Sequence, residues 1–248
     1  MPLYTAEALI LRTYKLGEAD RIVVFLTRDR GKRRGVARGA RRVRSRFLGA
    51  LEPMTRGRVL YFEREHRDLV RLEEVEVLRS PLAGRGHDAL GHVGYFAELL
   101  DEWAPEGHPN EKLFRLGASV VDALTAGTPI DRLARYFEYW LLRLEGVYPS
   151  LTACPRCAAG LGDGAVVAAH DRVFVCRRCG AGSGQRGGAL SADALAFLRA
   201  VARRQPAGLA ALALPSRAGR ELEVAHQFLI AAHLEKELKS ARVLRELG

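Results

Sequence analysis

Four cysteines, and only four, stand in this chain as two CxxC pairs, Cys154/Cys157 and Cys176/Cys179, with eighteen residues between the pairs. Each CxxC turn can aim two thiolates at one point, so the two turns together offer a closed set of four soft ligands. The spacer is long enough for a short hairpin, and Ala165 to Val175 (AVVAAHDRVFV) has the β-branched composition of one. A chain with this constellation must fold so that two points some twenty residues apart converge on one centre.

Compartment decides between metal and disulfide. The opening residues, MPLYTAEALILRT, lack a basic leader followed by an apolar core and a cleavage site. No apolar run reaches the ~18–20 residues that span a bilayer. The chain is therefore expected in the cytosol with no membrane attachment, where thiols stay reduced and metal ligation is favoured. One tetrahedral Zn²⁺ per chain fits four thiolates, and a shell closed by protein ligands is structural rather than catalytic. Arg156, Arg177 and Arg178 would favour the ionised thiolates. His170 lies between the pairs but is not needed by them, and reads as an ordinary hairpin residue. Ala158 follows Cys157 where glycine is common in such knuckles; it resists a left-handed turn and predicts a first knuckle of slightly different shape.

The second constraint is charge. Residues 28–46, RDRGKRRGVARGARRVRSR, hold ten Lys and Arg against the single acid Asp29, a net +9 where the whole chain carries +10. The rest of the chain is close to neutral, so this run is a local footprint for a polyanion, most readily nucleic acid. A solvated basic face or tail is the bland alternative. It is weakened by the small and apolar residues interleaved in the run, Val36, Ala37, Ala40, Val43 and Phe47. Among possible stacking aromatics (Tyr14, Phe25, Phe47, Tyr61, Phe62), Phe25 and Phe62 sit in apolar runs and are expected in the core. Aromatic content of 7% is low for a stacking platform. The inferred binding mode is a backbone grip that accepts single- and double-stranded DNA and lowers the repulsion opposing annealing.

The first eighty residues read as β-rich. Strands are expected around Ala8–Leu11, over Arg21–Thr27, Lys32–Ala37, Arg58–Glu63 and Leu69–Leu78. Five short strands suggest a small closed barrel, with a five-stranded OB-fold the leading candidate. After Pro81 the spacing changes to three and four, and helices are expected over His87–Trp103, Glu111–Ala126 and Ile130–Gly146. Asn110 is a candidate N-cap, and Ser191 another for a helix to about Arg204. A last helical stretch runs from about Arg217 to Leu247, broken near His233. Ala181–Gly188 (AGSGQRGG) reads as a flexible loop. The expected architecture is thus α+β and multi-domain: a barrel over 1–80, then an all-α domain over 81–248 interrupted at 150–188 by the cysteine ribbon.

With these motifs in hand the chain resembles the RecO family of bacterial recombination mediators. The resemblance runs from Glu7 to Pro53, with GEADRIVVFLT and GARRVRSRF as its most specific strings. It continues at LLRLEGVYPSLTACPRC (Leu141–Cys157), CRRCG (Cys176–Gly180) and HLEKELKSARVL (His233–Leu244). It implies an N-terminal OB-fold, a helical C-terminal domain with an inserted four-cysteine zinc ribbon, and a non-catalytic role in recombinational repair at the bacterial nucleoid. Such proteins bind DNA, anneal complementary strands and help load RecA on DNA coated with single-strand DNA-binding protein. RecR and single-strand DNA-binding protein are the implied partners. The DNA-binding role carries over to Lys32, Arg33, Arg34, Arg38, Arg41, Arg42, Arg44 and Arg46, and the ligand role to Cys154, Cys157, Cys176 and Cys179.

On physics alone, a zinc-ribbon RNA-binding or transcription-associated protein uses the same parts. A metal-dependent hydrolase or deaminase is disfavoured. The chain has no HxE motif beside a cysteine pair, no P-loop and no nucleophile elbow.

Overall fold

The computed structural model describes residues 2–64, 67–82, 90–181 and 187–247. Five strands open the chain: β1 (Leu3–Leu16), β2 (Asp20–Thr27), β3 (Gly31–Ala37), β4 (Arg56–Phe62) and β5 (Leu69–Arg79). They close into a barrel in the order β1-β2-β3-β5-β4. All neighbours are antiparallel except β3 and β5, which run parallel. That order is the OB-fold expected from the sequence.

Alternation explains how the barrel is filled. Ala6, Ala8 and Ile10 of β1 and Val23 and Phe25 of β2 point inward, with Val59, Tyr61, Val70, Leu72 and Val75 from later strands. The neighbours Leu9, Leu11, Val24 and Leu26 point outward and are buried as well. This is why Ala8–Leu11 and Val23–Leu26 read as continuous apolar runs rather than alternating ones. Two helices, α1 (Leu90–Trp103) and α2 (Glu111–Thr125), supply the outer cover. A Cβ on Gly117 of α2 would lie 2.6 Å from Leu9 Cδ1, so glycine lets the helix approach the strand. Asn110 caps α2 as expected, its side chain accepting from Leu113 N at 3.1 Å. Residues 87–89, the predicted start of the first helix, lie outside the described residues.

Gly31 opens β3 at a turn that only glycine tolerates. Its φ is +70°, and an added Cβ would fall 2.2 Å from the carbonyl oxygen of His108. Beside it, the Thr27 hydroxyl donates to Gly31 O (2.8 Å) and accepts from Arg30 N (3.0 Å). The turn that launches the basic run is therefore fixed.

The chain divides into two compact units, Met1–Ala126 with Leu238–Gly248, and Gly127–Glu237. The first unit is completed by the terminal helix, numbered α7 in chain order (Lys239–Leu247). Glu98 of α1 caps it: the carboxylate accepts from Ser240 N at 2.7 Å, Lys239 N at 3.3 Å and the Ser240 hydroxyl. Burial alone would raise the Glu98 pKa, but the bonds from Ser240 and Lys239, with Arg12 nearby, outweigh it and hold it low. A depressed carboxylate contributes stability that is complete above the ordinary glutamate value and lost as pH falls through the folded value. Glu98→Gln is therefore expected to flatten the acid limb of a melting-temperature profile recorded between about pH 3 and 6. A limb identical to that of the unsubstituted protein would refute this role.

The second unit contains α3 (Ile130–Leu144), strands β6 (Gly164–Ala168), β7 (Val173–Val175) and β8 (Ala189–Ser191), the single turn α4 (Arg177–Gly180), α5 (Ala192–Val201), a 3₁₀ segment (Pro206–Ala211) and α6 (Ser216–Leu234). The hairpin expected over Ala165–Val175 is β6 and β7. β8 adds to its other edge, giving the order β7-β6-β8. Its three residues are too few to show a period in the sequence. Ser191 caps α5, accepting from Ala194 N. The expected break near His233 falls at Glu235, which takes φ +55° and ends α6. Residues 182–186 of the predicted loop lie outside the described residues.

A buried polar chain joins α3 to α6. Arg135 donates to Glu138 Oε1 at 2.8 Å, Glu138 Oε2 lies 2.9 Å from His226 Nδ1, and His226 Nε2 lies 2.8 Å from the Tyr148 hydroxyl. Burial holds the His226 pKa below its ordinary value against the upward pull of Glu138, which favours the neutral ring. A carboxylate can only accept; Nδ1 therefore donates to Glu138, and Nε2 accepts from Tyr148.

Candidate nucleic-acid interface and metal centre

The basic run splits into two parts with different fates. On β3 the charges are matched within the first unit. Lys32 is only 9% exposed; its Nζ donates to the Asp101 carbonyl at 2.5 Å and lies 3.3 Å from the Asp101 carboxylate. Its ammonium is committed to α1 and is withdrawn from the surface. Arg33 is half-buried and lies 3.7 Å from Glu63, and Arg34 pairs with Glu106 at 2.5 Å. Upstream, Arg28 pairs with Glu111 at 2.9 Å.

The connection between β3 and β4 is different. Arg38, Arg41, Arg42, Arg44 and Arg46 are all exposed. Arg38, Arg42 and Arg44 make no ion pair among the described residues. Arg41 donates to the Gly17 carbonyl at 2.7 Å, and Arg46 lies 3.5 Å from Glu73 with its guanidinium over the Phe47 ring. The segment is nevertheless anchored. Phe47, Ala50 and Leu51 are buried in the barrel interior, so half of this connection is a plug rather than a free loop.

Three aromatics depart from the expectation. Phe47 and Tyr61, both stacking candidates, are core. Phe62, expected in the core, is half-exposed, because Tyr61 and Phe62 are neighbours on β4 and only one can face inward. The Arg71 guanidinium lies 5.0 Å from the Phe62 ring centroid. Phe62 also lines a groove of about 490 Å³ with Arg38, Arg64, Arg67 and Arg71, opposed by Asp68. Arg64, Arg67 and Arg71 lie outside the basic run, where no local sequence signal marks them. The parallel pairing of β3 with β5, Arg34 opposite Leu69, brings them beside Arg38.

The four cysteines converge in the second unit, their sulfurs all within 4.8 Å of one another. Zinc bound tetrahedrally at about 2.3 Å requires sulfurs about 3.8 Å apart; Cys157 and Cys176 are 3.6 Å apart. The donor set thus fits one metal ion. The first knuckle is closed by Cys154 N donating to Ala159 O and Ala158 N to Cys154 O, each at 2.8 Å. Ala158 takes φ +59° there, so the left-handed turn forms despite its Cβ, at a cost of about 1–2 kcal/mol. The expected change of shape at this knuckle does not occur. In the second knuckle Gly180 N donates to Cys176 O at 2.9 Å. Arg156 links the knuckles, donating to Cys179 O at 3.0 Å and to Asp171 at 2.8 Å. Burial works against ionising Cys154, but backbone N–H groups of Cys176, Arg156 and Cys157 outweigh it and bring its pKa to about 6. His170 stands outside the cluster, exposed and paired with Asp171 at 3.0 Å. No described helix is long and apolar enough to cross a membrane.

Comparison with known proteins places the chain in a family. Residues 1–81 match the family described as Recombination protein O N terminal, and residues 87–242 the one described as Recombination protein O C terminal. A DNA repair protein RecO from Anaeromyxobacter sp. (strain K) is 41% identical over 247 residues, covering 97% of this chain and 95% of the relative. One from Geobacter sulfurreducens is 36% identical over 244 residues, covering 97% of each. One from Pelotomaculum thermopropionicum is 31% identical, covering all of this chain and 96% of the relative.

Proposed function

The chain belongs to the RecO family of DNA repair proteins, and on that premise we propose that it is a non-catalytic recombination mediator. It grips single- and double-stranded DNA through the barrel, anneals complementary strands and helps load RecA on DNA coated with single-strand DNA-binding protein, with RecR as partner. The observation that carries this reading is the β3–β4 connection: five exposed arginines, three of them without a counter-charge among the described residues, on a segment bolted to the barrel core. The groove of Arg38, Arg64, Arg67 and Arg71 extends the same positive surface. Arg33 and Arg34 lie on the adjoining strand and join the grip only where a phosphate displaces their acid. Lys32 is left out of it.

Such a surface neutralises phosphates on two strands at once and removes the repulsion that slows annealing. If Arg38, Arg41, Arg42, Arg44 and Arg46 each engage one phosphate, log K should fall with log salt at a slope of about −4.5 on duplex and about −3.5 on single strands. Anisotropy titrations over a salt series measure this; a slope near zero would sink the reading. Annealing of complementary strands coated with single-strand DNA-binding protein tests the mediator step directly. A preference for structured RNA of about tenfold or more at matched salt would favour an RNA-binding role instead.

We propose further that Cys154, Cys157, Cys176 and Cys179 hold one structural Zn²⁺. When bound, the ion supplies folding energy, and four sulfur ligands leave it no open position for chemistry. The residues themselves fix the two knuckles through Arg156 and keep Cys154 readily ionised.

A further inference from the structure

Val43 is 92% exposed and Leu48 80% exposed, the two most exposed large apolar side chains among the described residues. They stand on either side of Phe47, which is 2% exposed and packed inside the barrel. Consecutive turns hold the segment between them: Arg42 N donates to Gly39 O at 3.1 Å, Ser45 N to Arg42 O at 3.1 Å, Leu48 N to Ser45 O at 3.2 Å and Ala50 N to Phe47 O at 3.0 Å. Arg41 N donates to Ala19 O at 2.9 Å, tying the same segment to the β1–β2 turn. Val43 and Leu48 are thus apolar tips on a pinned frame, not parts of a loose tail.

Nothing in the described fold covers these tips. The surface that does must offer an apolar patch bordered by anions, because residues 38–51 contain five arginines and no acid. A base face between phosphate rows has this character. We propose that Val43 and Leu48 are base-contacting wedges: they enter a base step while the neighbouring arginines hold the flanking phosphates. The inference rests on the DNA-binding reading above and adds to it the part of the DNA that is recognised. Opening a base step opposes the burial gained by the tips, and opening is easiest where stacking is already broken. The wedges should therefore select single-strand/duplex junctions and unpaired ends over uninterrupted duplex.

The test uses the full chain and oligonucleotides carrying 2-aminopurine at successive positions of a junction. The unsubstituted protein is expected to raise the fluorescence at one or two positions next to the junction. The double variant Val43→Ser, Leu48→Ser should lose that rise and bind the junction about tenfold more weakly, with uninterrupted-duplex affinity changed less than about twofold. Both side chains are exposed, so its thermal melt should match the unsubstituted protein. A bound junction with no fluorescence rise at any position, or a rise that survives the double substitution, overturns the wedge while DNA binding stands. Failure of the unsubstituted protein to bind any DNA would instead overturn the functional reading beneath it. Binding to phosphatidylglycerol vesicles that is lost in the double variant, with junction binding unchanged, would assign the tips to lipid and also overturn the wedge.

Discussion

Reversing Arg38, Arg42 and Arg44 to glutamate is expected to weaken DNA binding at least a hundredfold at moderate salt without changing the melting temperature. The three side chains are exposed and have no ion-pair partner among the described residues, so the fold loses nothing when they change. The DNA loses three favourable contacts and meets three like charges. At roughly 1 kcal/mol or more per reversal, a hundredfold, about 2.7 kcal/mol, is a lower bound. Lys32 provides the contrast. Lys32→Glu places a carboxylate against Asp101 and strips a buried ion pair from α1, so its first effect should be on stability. Fluorescence anisotropy beside thermal melts separates the two. Full-strength binding by the triple variant would rule out this segment as the DNA surface.

The second large effect concerns the ribbon. Cys176→Ser, or removal of metal by a chelator, is expected to lower stability by about 3 kcal/mol or more, because structural zinc contributes its binding energy to folding. In a chain of this size, that corresponds to roughly 6–12 °C in melting temperature. The loss should stop short of unfolding the second unit. Leu161, Val167, Phe174 and Leu190 are buried around the sheet, and the Arg135–Glu138–His226–Tyr148 chain does not pass through the cysteines. Metal analysis of the purified protein should find about one zinc per chain, absent from the variant. Equal metal content and melting temperature in the two proteins would mean that the cysteines hold no structural ion.

Much of this was legible in the sequence where the signal is local. The five strands follow from short β-branched runs between turns, the convergence of the four cysteines from the spacing of two CxxC pairs, and two helix starts from Asn110 and Ser191. What escaped depends on partners distant in the chain. Lys32 and Arg38 look alike within one basic run. One is neutralised by Asp101, sixty-nine residues on, and the other has no such partner. Arg64, Arg67 and Arg71 join the surface only through the parallel β3–β5 pairing, which leaves no periodic trace. Phe62 reads as core and Tyr61 as a stacking candidate, but the barrel register turns Tyr61 inward and Phe62 outward. Ala158 defies its backbone preference because two hydrogen bonds close the knuckle around it.

The Glu98 cap on α7 also imposes an order on synthesis. The unit built from Met1–Ala126 needs Leu238–Gly248 to be complete, so its parts are interrupted by the whole of Gly127–Glu237. At about 5–20 residues per second, the barrel and α1, which ends at Trp103, emerge roughly 7–27 s before α7 begins at Lys239. During that interval the carboxylate lacks three of its donors, and the face of α1 that α7 covers stays wet. A ribosome stalled anywhere in the second unit would display a closed barrel whose capping partner, α7, has not yet been made.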